Sequence, residues 1–228
     1  MTVRDGDLAF SSFPIIMFDR MEPFMPIRVG FNMIREPADS GVDYRRLRGT
    51  RSAIDLGLEG LECVIEYGIW WDWDIEHLYE LEAIWIYLGE DGSVLRLEAS
   101  WHGGFNEMRF EGKIPTREGI PVIFSQPGKH AFAPDPEWFT PREEMAIPCT
   151  RNAGSGGVHV TPLFQGRIEK TPEHDELVSR YLRARAFQPT FDFDKEWRMP
   201  EGALVEWEQL REWIPGRVAE IIARLRAG

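Results

Sequence analysis

Two runs of alternating apolar and polar residues flank Glu90-Asp91-Gly92-Ser93, and this short segment restricts the possible folds of the chain more than any other. An Asp-Gly pair between such runs favours a two-residue type I′ hairpin, because both loop residues tolerate positive φ. With Asp91 and Gly92 as the loop, Glu90 faces Ser93, Leu88 faces Leu95, Ile86 faces Leu97, Ile84 faces Ala99 and Glu82 faces Trp101. One face then reads Glu80, Glu82, Ile84, Ile86 and Leu88 against Leu95, Leu97, Ala99 and Trp101, a core face whose far end carries two carboxylates. The opposite face carries Trp85, Tyr87, Arg96, Glu98, Ser100 and His102. A bulge at Trp101-His102-Gly103-Gly104 would turn His102 back toward Glu82.

Strand signals extend well beyond this hairpin. Leu61–Trp73, Leu81–Gly89, Val94–His102, Glu107–Gly112, Ile120–Ser125 and Val158–Phe164 are each bounded by Gly, Pro, Asn or Asp. Pro26–Ile34 is a further strand candidate in an otherwise irregular stretch up to about residue 55. Short strands with such punctuation predict a mainly β fold, an antiparallel, jelly-roll-like β-sandwich. After Thr171 the texture changes. Thr171-Pro172-Glu173 is a helix cap with proline at the first helical position, and helical spacing follows to Phe187. A second helix, about Glu201–Arg226, carries Leu204, Trp207, Leu210 and Trp213, then Val218, Ile221, Ile222 and Leu225, with Pro215 expected to kink or split it. The expected organisation is a sandwich over residues 1–170 with C-terminal helices, residues 171–228, packed on it as one structural unit.

A net charge of −12 and a pI near 5.0 argue against a nucleic-acid partner, which needs clustered Lys and Arg. The local basic groups, Arg45, Arg46, Arg48 and Arg51 and then Arg180, Arg183 and Arg185, read as solvated faces. Cys63 and Cys149 make no disulfide framework and no CxxC motif, though a single bridge between them stays open. No stretch is long and apolar enough to span a membrane, and Met1–Arg20 lacks the apolar core of a signal peptide, so a cytoplasmic location is expected.

The chemistry concentrates in Trp70–Glu82, where Asp72, Asp74, Glu76, His77, Glu80 and Glu82 crowd among aromatics. Oxygen-rich clusters of this kind hold hard cations, and carboxylates on a core face need a proton, a basic partner or a metal. Asp72 and Asp74 share one side of a regular strand, a spacing that suits joint coordination. The alternative is that Glu80 and Glu82 pair with arginines at the sheet rim, and Glu76 and Glu98 read as surface charges. Elsewhere, His130 belongs to a strand-end loop, where either a functional or a mobile surface histidine fits. His159 reads as a packed or edge histidine and His174 as a solvent residue. Ala153–Gly157 lacks the ending of a phosphate loop and reads as a flexible turn or lid. Trp70, Trp71, Trp73, Trp85 and Trp101 suit a core or a sugar-stacking platform. Nucleophilic hydrolysis has no motif here.

His77-Leu78-Tyr79-Glu80-Leu81-Glu82, followed by Ala99-Ser100-Trp101-His102-Gly103-Gly104-Phe105, resembles the necrosis- and ethylene-inducing-peptide-like proteins over about residues 65–105. Their signature Gly-His-Arg-His-Asp-Trp-Glu precedes a later Ser-Ala-His-Gly-Gly-Tyr. The spacing His-x-x-acid-x-Glu is kept, whereas Tyr79, Leu81 and Glu80 replace the signature's second histidine, tryptophan and aspartate. A vacuolar-sorting family of the same superfamily has a Ser-His-Ala element that Gly128-Lys129-His130-Ala131 resembles. The resemblance implies a β-sandwich holding a divalent cation at one end, with Asp72 or Asp74, His77, Glu80 and Glu82 as the ligand set. The expected site has Asp74, His77, Glu80 and Glu82 holding the ion (Ca, Mg or Zn), with Asp72, His102 and His130 as supporting or acid-base groups. The expected function is a metal-dependent hydrolase acting on a polar or glycan-like small-molecule substrate. Two alternatives stand beside it: a non-catalytic, metal-dependent carbohydrate-binding module, and a carboxylate-only enzyme using Glu80 and Glu82.

Overall fold

The computed structural model describes residues 3–36 and 54–227, so the basic group at Arg45, Arg46, Arg48 and Arg51 lies outside the described residues. In chain order the elements are α1 (Val3–Ser11), β1 (Ile15–Phe18), β2 (Arg28–Ile34), β3 (Leu61–Trp73), β4 (His77–Gly89), β5 (Val94–Trp101), β6 (Gly104–Glu107), β7 (Thr116–Arg117) and β8 (Ile120–Ser125). Then follow β9 (Phe132–Ala133), α2 (Arg142–Met145), β10 (Gly157–Val158), α3 (Pro172–Arg183), β11 (Lys195–Trp197), β12 (Leu204–Glu206) and α4 (Trp207–Ala227).

Two sheets form a sandwich-like arrangement. The larger runs β12-β2-β3-β4-β5-β6 with β10 also on β4, and the smaller runs β11-β1-β8-β7 with β9 on β8. Most pairs are antiparallel as expected, but β1–β8, β10–β4 and β12–β2 are parallel, so the sheets are mixed. Isoleucines and aromatics of both sheets, with Val178 and Leu182 of α3 and Leu210 and Ile214 of α4, share one apolar cluster. The helices therefore complete the core. Among the described residues no helix is long and apolar enough to cross a membrane.

The hairpin register matches the sequence reading in its interior: Ile84 faces Ala99 and Ile86 faces Leu97, all fully buried. At the tip it differs. Leu88 pairs with Val94, Gly89 N–H donates to Ser93 C=O (2.8 Å) and Gly92 N–H to Gly89 C=O (2.9 Å), so the loop is longer than two residues and a bulge restores the register. Gly92 still adopts positive φ (79°). The opposite face is covered as well, with Trp85, Tyr87 and Glu98 buried and the Tyr87 hydroxyl donating to Glu98 at 2.8 Å. Glu98 is therefore not a surface charge.

Further differences have local causes. The β1 strand and α1 were not expected, since β1 is only four apolar residues whose partners, Val122–Phe124, are remote in sequence. Of Val158–Phe164 only Val158 is in a strand, the two-residue Gly157–Val158, and Pro162 opens a short 3-10 turn. The α3 helix ends at Arg183 rather than Phe187, and its cap forms as expected, Thr171 Oγ1 accepting from His174 N–H at 3.1 Å. The α4 helix continues unbroken across Pro215. Cys63 and Cys149 are free and buried, and Trp70, Trp71 and Trp85 are at most 1% exposed, which makes them core rather than a stacking platform.

Gly30 and Gly68 face each other across β2 and β3, directly beneath α4. A Cβ at Gly68 would stand 2.4 Å from the Trp207 indole, and one at Gly30 would stand 2.8 Å from Leu210. Gly68→Ala is expected to destabilise the protein by about 1–3 kcal/mol through overpacking. Leu97→Ala should cost about 2–5 kcal/mol as a buried truncation. Arg96→Ala should cost less than about 1 kcal/mol, because its pair with Asp55 is an exposed one. Urea titrations of the three variants check this ordering, and a larger loss for Arg96→Ala than for Leu97→Ala would reverse the facing of β5.

Candidate metal centre

The β3–β4 ladder ends at Trp73 and Leu78, and Asp74-Ile75-Glu76 turns the chain between them. Asp74 N–H donates to His77 C=O (3.0 Å), while Asp74 Oδ1 accepts from Glu76 N–H (2.7 Å), a side-chain-closed turn of the kind Asp favours. In a regular strand His77 and Glu80 would point to opposite faces. Tyr79 lies between them at φ 56°, a left-handed conformation that reverses the alternation and brings the two side chains together. His77 Nδ1 lies 2.9 Å from Tyr79 C=O, so that nitrogen donates and Nε2 carries the free lone pair. Nε2 stands 3.6 Å from Asp74 Oδ1 and 3.9 Å from Glu80 Oε2. Asp74, His77 and Glu80 each place one ligand atom within 4.8 Å of the other two. A histidine oriented by a carbonyl beside two carboxylates is a donor set suited to a divalent cation.

The glycine-rich run is a wall of this site rather than a lid. Gly154 N–H donates to Ile75 C=O (2.9 Å), Gly156 N–H donates to Glu76 C=O (2.8 Å), and β10 pairs with His77-Leu78. The His159 ring then stacks on His77 with centroids 4.9 Å apart. Burial, followed by the nearby His77, holds the His159 pKa below its usual value.

Lys129, which the sequence reading had not singled out, enters the site from the β8–β9 loop. Its Nζ donates to Asp74 Oδ1 (2.9 Å) and lies 2.9 Å from Glu76 Oε2. The fully buried Asp74 Oδ2 is 2.8 Å from the same ammonium but out of line for a hydrogen bond, and it has no other donor. Burial pushes the Asp74 carboxyl upward, but His77, Lys129 and His130 together outweigh it and hold the pKa below its ordinary value. Burial likewise opposes charge on Lys129, and Asp74, Glu80 and Glu76 overcome it and raise the pKa. The loop is fixed by Ile75 N–H donating to Gly128 C=O (2.9 Å) and Gly128 N–H donating to Glu22 Oε2 (2.6 Å). Gly128 has φ 69°, and a Cβ there would meet Cys149 and Ile75 at 2.7 Å. The sequence signal for Lys129 was its place in Gly128-Lys129-His130-Ala131, beside the histidine that drew notice.

The remaining expected site residues are not in this group. Glu82 is buried and accepts from the Ser100 hydroxyl across the β4–β5 pair. Asp72 is held by Arg217 of α4 through Nη2 (2.6 Å) and Nε (3.0 Å) and also accepts from Trp70 Nε1 (3.1 Å). Asp72 and Asp74 part company because the strand stops between them and Asp74 belongs to the turn. His102 and Gly103 both have positive φ and form the tight β5–β6 turn, where His102 is exposed. His130 is fully buried rather than a surface group, stacked on Trp71 at 4.7 Å with Nε2 3.4 Å from Glu22 Oε1. His174 is buried too, its ring nitrogens 3.2 Å from Glu169 C=O and 2.9 Å from Arg226 Nη2.

No protein-family model and no curated protein matches the chain. Among solved structures, it is similar to necrosis and ethylene inducing protein 2 from the causal agent of cocoa's witches' broom disease, at 14% sequence identity and a TM-score of 0.28. The match covers 48% of this chain and 61% of that one. That protein belongs to the family that the motif of residues 65–105 resembles.

The electrostatics set a pH window for stability. Asp74 is depressed below its ordinary 3.8, so its contribution is present above pH 3.8 and is lost as pH falls through the lowered value. Lys129 is raised above its ordinary 10.5, so its contribution is complete below pH 10.5 and is lost as pH rises through the raised value. Lys129→Met is expected to cost about 3–5 kcal/mol at pH 7, because it strands a buried carboxylate. The deficit should shrink at pH 4 as Asp74 in the variant takes up a proton. Chemical denaturation at both pH values checks this, and an equal deficit at each would show that the ammonium does not neutralise Asp74.

Proposed function

We propose that Asp74, His77 and Glu80 hold a divalent cation at the end of the β3–β4 ladder, and that the protein is a cation-dependent binding module for an oxygen-rich, glycan-like ligand. The convergence of His77 Nε2 and the two carboxylates within 4.8 Å carries this reading. Asp74 Oδ2 is buried with no charged neighbour nearer than the Lys129 ammonium at 2.8 Å, so a cation that displaced the lysine would find both carboxylate oxygens open to it. The side chains of His77 and Glu80 are 16% and 15% exposed, so the outer side of the ion faces outward, and three protein ligands leave coordination positions for a ligand's hydroxyls or for water. A metal-dependent hydrolase acting on a polar substrate is a second reading. It is favoured by His159, whose ring stacks on that of His77 with centroids 4.9 Å apart and so sets a second imidazole beside the proposed ion.

Lys129 occupies the Asp74 carboxylate that the cation needs, so the two compete. Isothermal titration with Ca, Mg and Zn is expected to show one site in the native protein, about tenfold or more tighter in Lys129→Met, and lost in His77→Ala and Glu80→Gln. Glu82→Gln should retain the ion. Loss of binding in Glu82→Gln with retention in Glu80→Gln would overturn the ligand set. A hydrolase screen with and without chelator separates the two readings, because chelator-sensitive turnover establishes the second.

A further inference from the structure

The segment Trp70–Glu82 carries five carboxylates, and the fold leaves few of them to an ion. Asp72 is held by Arg217, Glu82 accepts from Ser100, and Glu76 Oε2 lies 2.9 Å from the Lys129 ammonium. Glu80 Oε1 accepts from Leu81 N–H at 2.9 Å, so Oε2, 3.9 Å from His77 Nε2, is the oxygen turned to the site. Calcium takes about six to eight oxygens, and magnesium an octahedron of them. Two carboxylates beside an imidazole are a poor match for either ion.

A second imidazole arrives from β10. Gly157 pairs with His77 and Val158 with Leu78, and His159 follows directly. A Cβ at Gly156 would stand 3.0 Å from His77 Cβ, so the bare backbone there lets this segment close on β4. The His159 ring then lies 4.9 Å from that of His77, centroid to centroid, with 30° between the planes. Two imidazoles on one ion have the same spacing. A Zn–N bond is about 2.0–2.1 Å, the ring centre lies about 1 Å further on, and a tetrahedral angle at the ion then sets the centroids about 5 Å apart. The His159 nitrogens stand outside the 4.8 Å group, and the side chain is exposed, so ligation requires only its rotation toward Asp74 and Glu80.

We propose that His159 is a fourth protein ligand of the cation centre, and that the centre selects a zinc-type ion over calcium and magnesium. A role for His159 as ligand presupposes the cation site proposed above, and it departs from the family resemblance, in which Glu82 completes an oxygen-rich set. Imidazole suits zinc, whereas carboxylate, carbonyl and water suit calcium and magnesium. With Asp74, His77 and Glu80, His159 gives two nitrogens and two carboxylates, which satisfy a four-coordinate zinc ion that expands when a ligand or water joins it.

The test is calorimetric titration of chelator-treated protein with Zn, Ca and Mg, with the metal-free Tm measured for every variant. Zinc is expected to bind at one site per chain, about a hundredfold or more tighter than calcium or magnesium. His159→Phe keeps a ring against His77 but removes the nitrogens, and His159→Ala removes the ring altogether. Both variants should weaken zinc about tenfold or more and leave calcium affinity unchanged. With cobalt in place of zinc, the intense visible bands of a four-coordinate ion should appear in the native protein and be lost in both variants. Native zinc affinity in either variant, an unchanged cobalt spectrum, or calcium or magnesium bound more tightly than zinc would each overturn the role of His159 and leave the cation centre standing. Failure of the native protein to bind any of the three ions would overturn both.

Discussion

The interaction on which the rest of this structure depends is the antiparallel ladder between β3 and β4, thirteen residues on each side and continuous from Leu61–Gly89 to Trp73–Leu78 apart from one bulge. Both strands are interior to the sheet, and from Cys63 to Asp72 every residue of β3 is buried. A strand covered on both faces cannot slip by one residue without exchanging its whole set of contacts, so its register is strongly specified. The turn at Asp74-Ile75-Glu76 is the end of this ladder, which places Asp74 and His77 on a rigid element rather than on a free loop.

The neighbours of the ladder determine what each carboxylate can do. The Gly30–Gly68 pair removes two side chains beneath α4 and lets Trp207 and Leu210 approach the sheet backbone. That approach carries Arg217 to Asp72, and the carboxylate is thereby committed to a structural ion pair. Elsewhere on the sheet, Glu66 accepts from Trp85 Nε1 (2.8 Å), Glu98 from the Tyr87 hydroxyl (2.8 Å) and Glu82 from Ser100. Buried acids are tolerated here because each receives a donor. Asp74 is arranged differently: its strongest partner is a lysine from another loop, and one of its oxygens lacks an aligned donor.

Periodicity and turn chemistry made β3, β8 and the interior register of the β4–β5 hairpin legible, because those features are written in adjacent residues. The spacing of Asp74, His77 and Glu80 was legible for the same reason. Glu82 and Asp72 stand outside that group because alternation along one strand says nothing of what crosses from elsewhere, and Ser100 and Arg217 reach those carboxylates from other elements. Lys129 was missed for the converse reason, since it lies 55 residues beyond Asp74 and no local pattern links them. Parallel pairing hid β1 in the same way, while the burial of Glu98 shows that correct facing does not establish which face meets water.

The site also lies where local backbone preference is overridden. Tyr79 and His130 are non-glycine residues with positive φ, 56° and 63°, a state that costs on the order of 1–3 kcal/mol unless the surroundings impose it. The surroundings are two adjacent tryptophans of β3. The Trp70 ring stacks on Tyr79 at 4.6 Å and the Trp71 ring stacks on His130 at 4.7 Å. Successive residues of a strand point to opposite faces, so one tryptophan buttresses a strained residue on each side of the sheet. The Tyr79 conformation turns Glu80 toward His77, and the conformation of the His130 segment presents Lys129 to Asp74. The same apolar packing that stabilises the ladder thus holds both halves of the charged cluster in place, and the acids and the lysine that opposes them are positioned by one pair of neighbouring side chains.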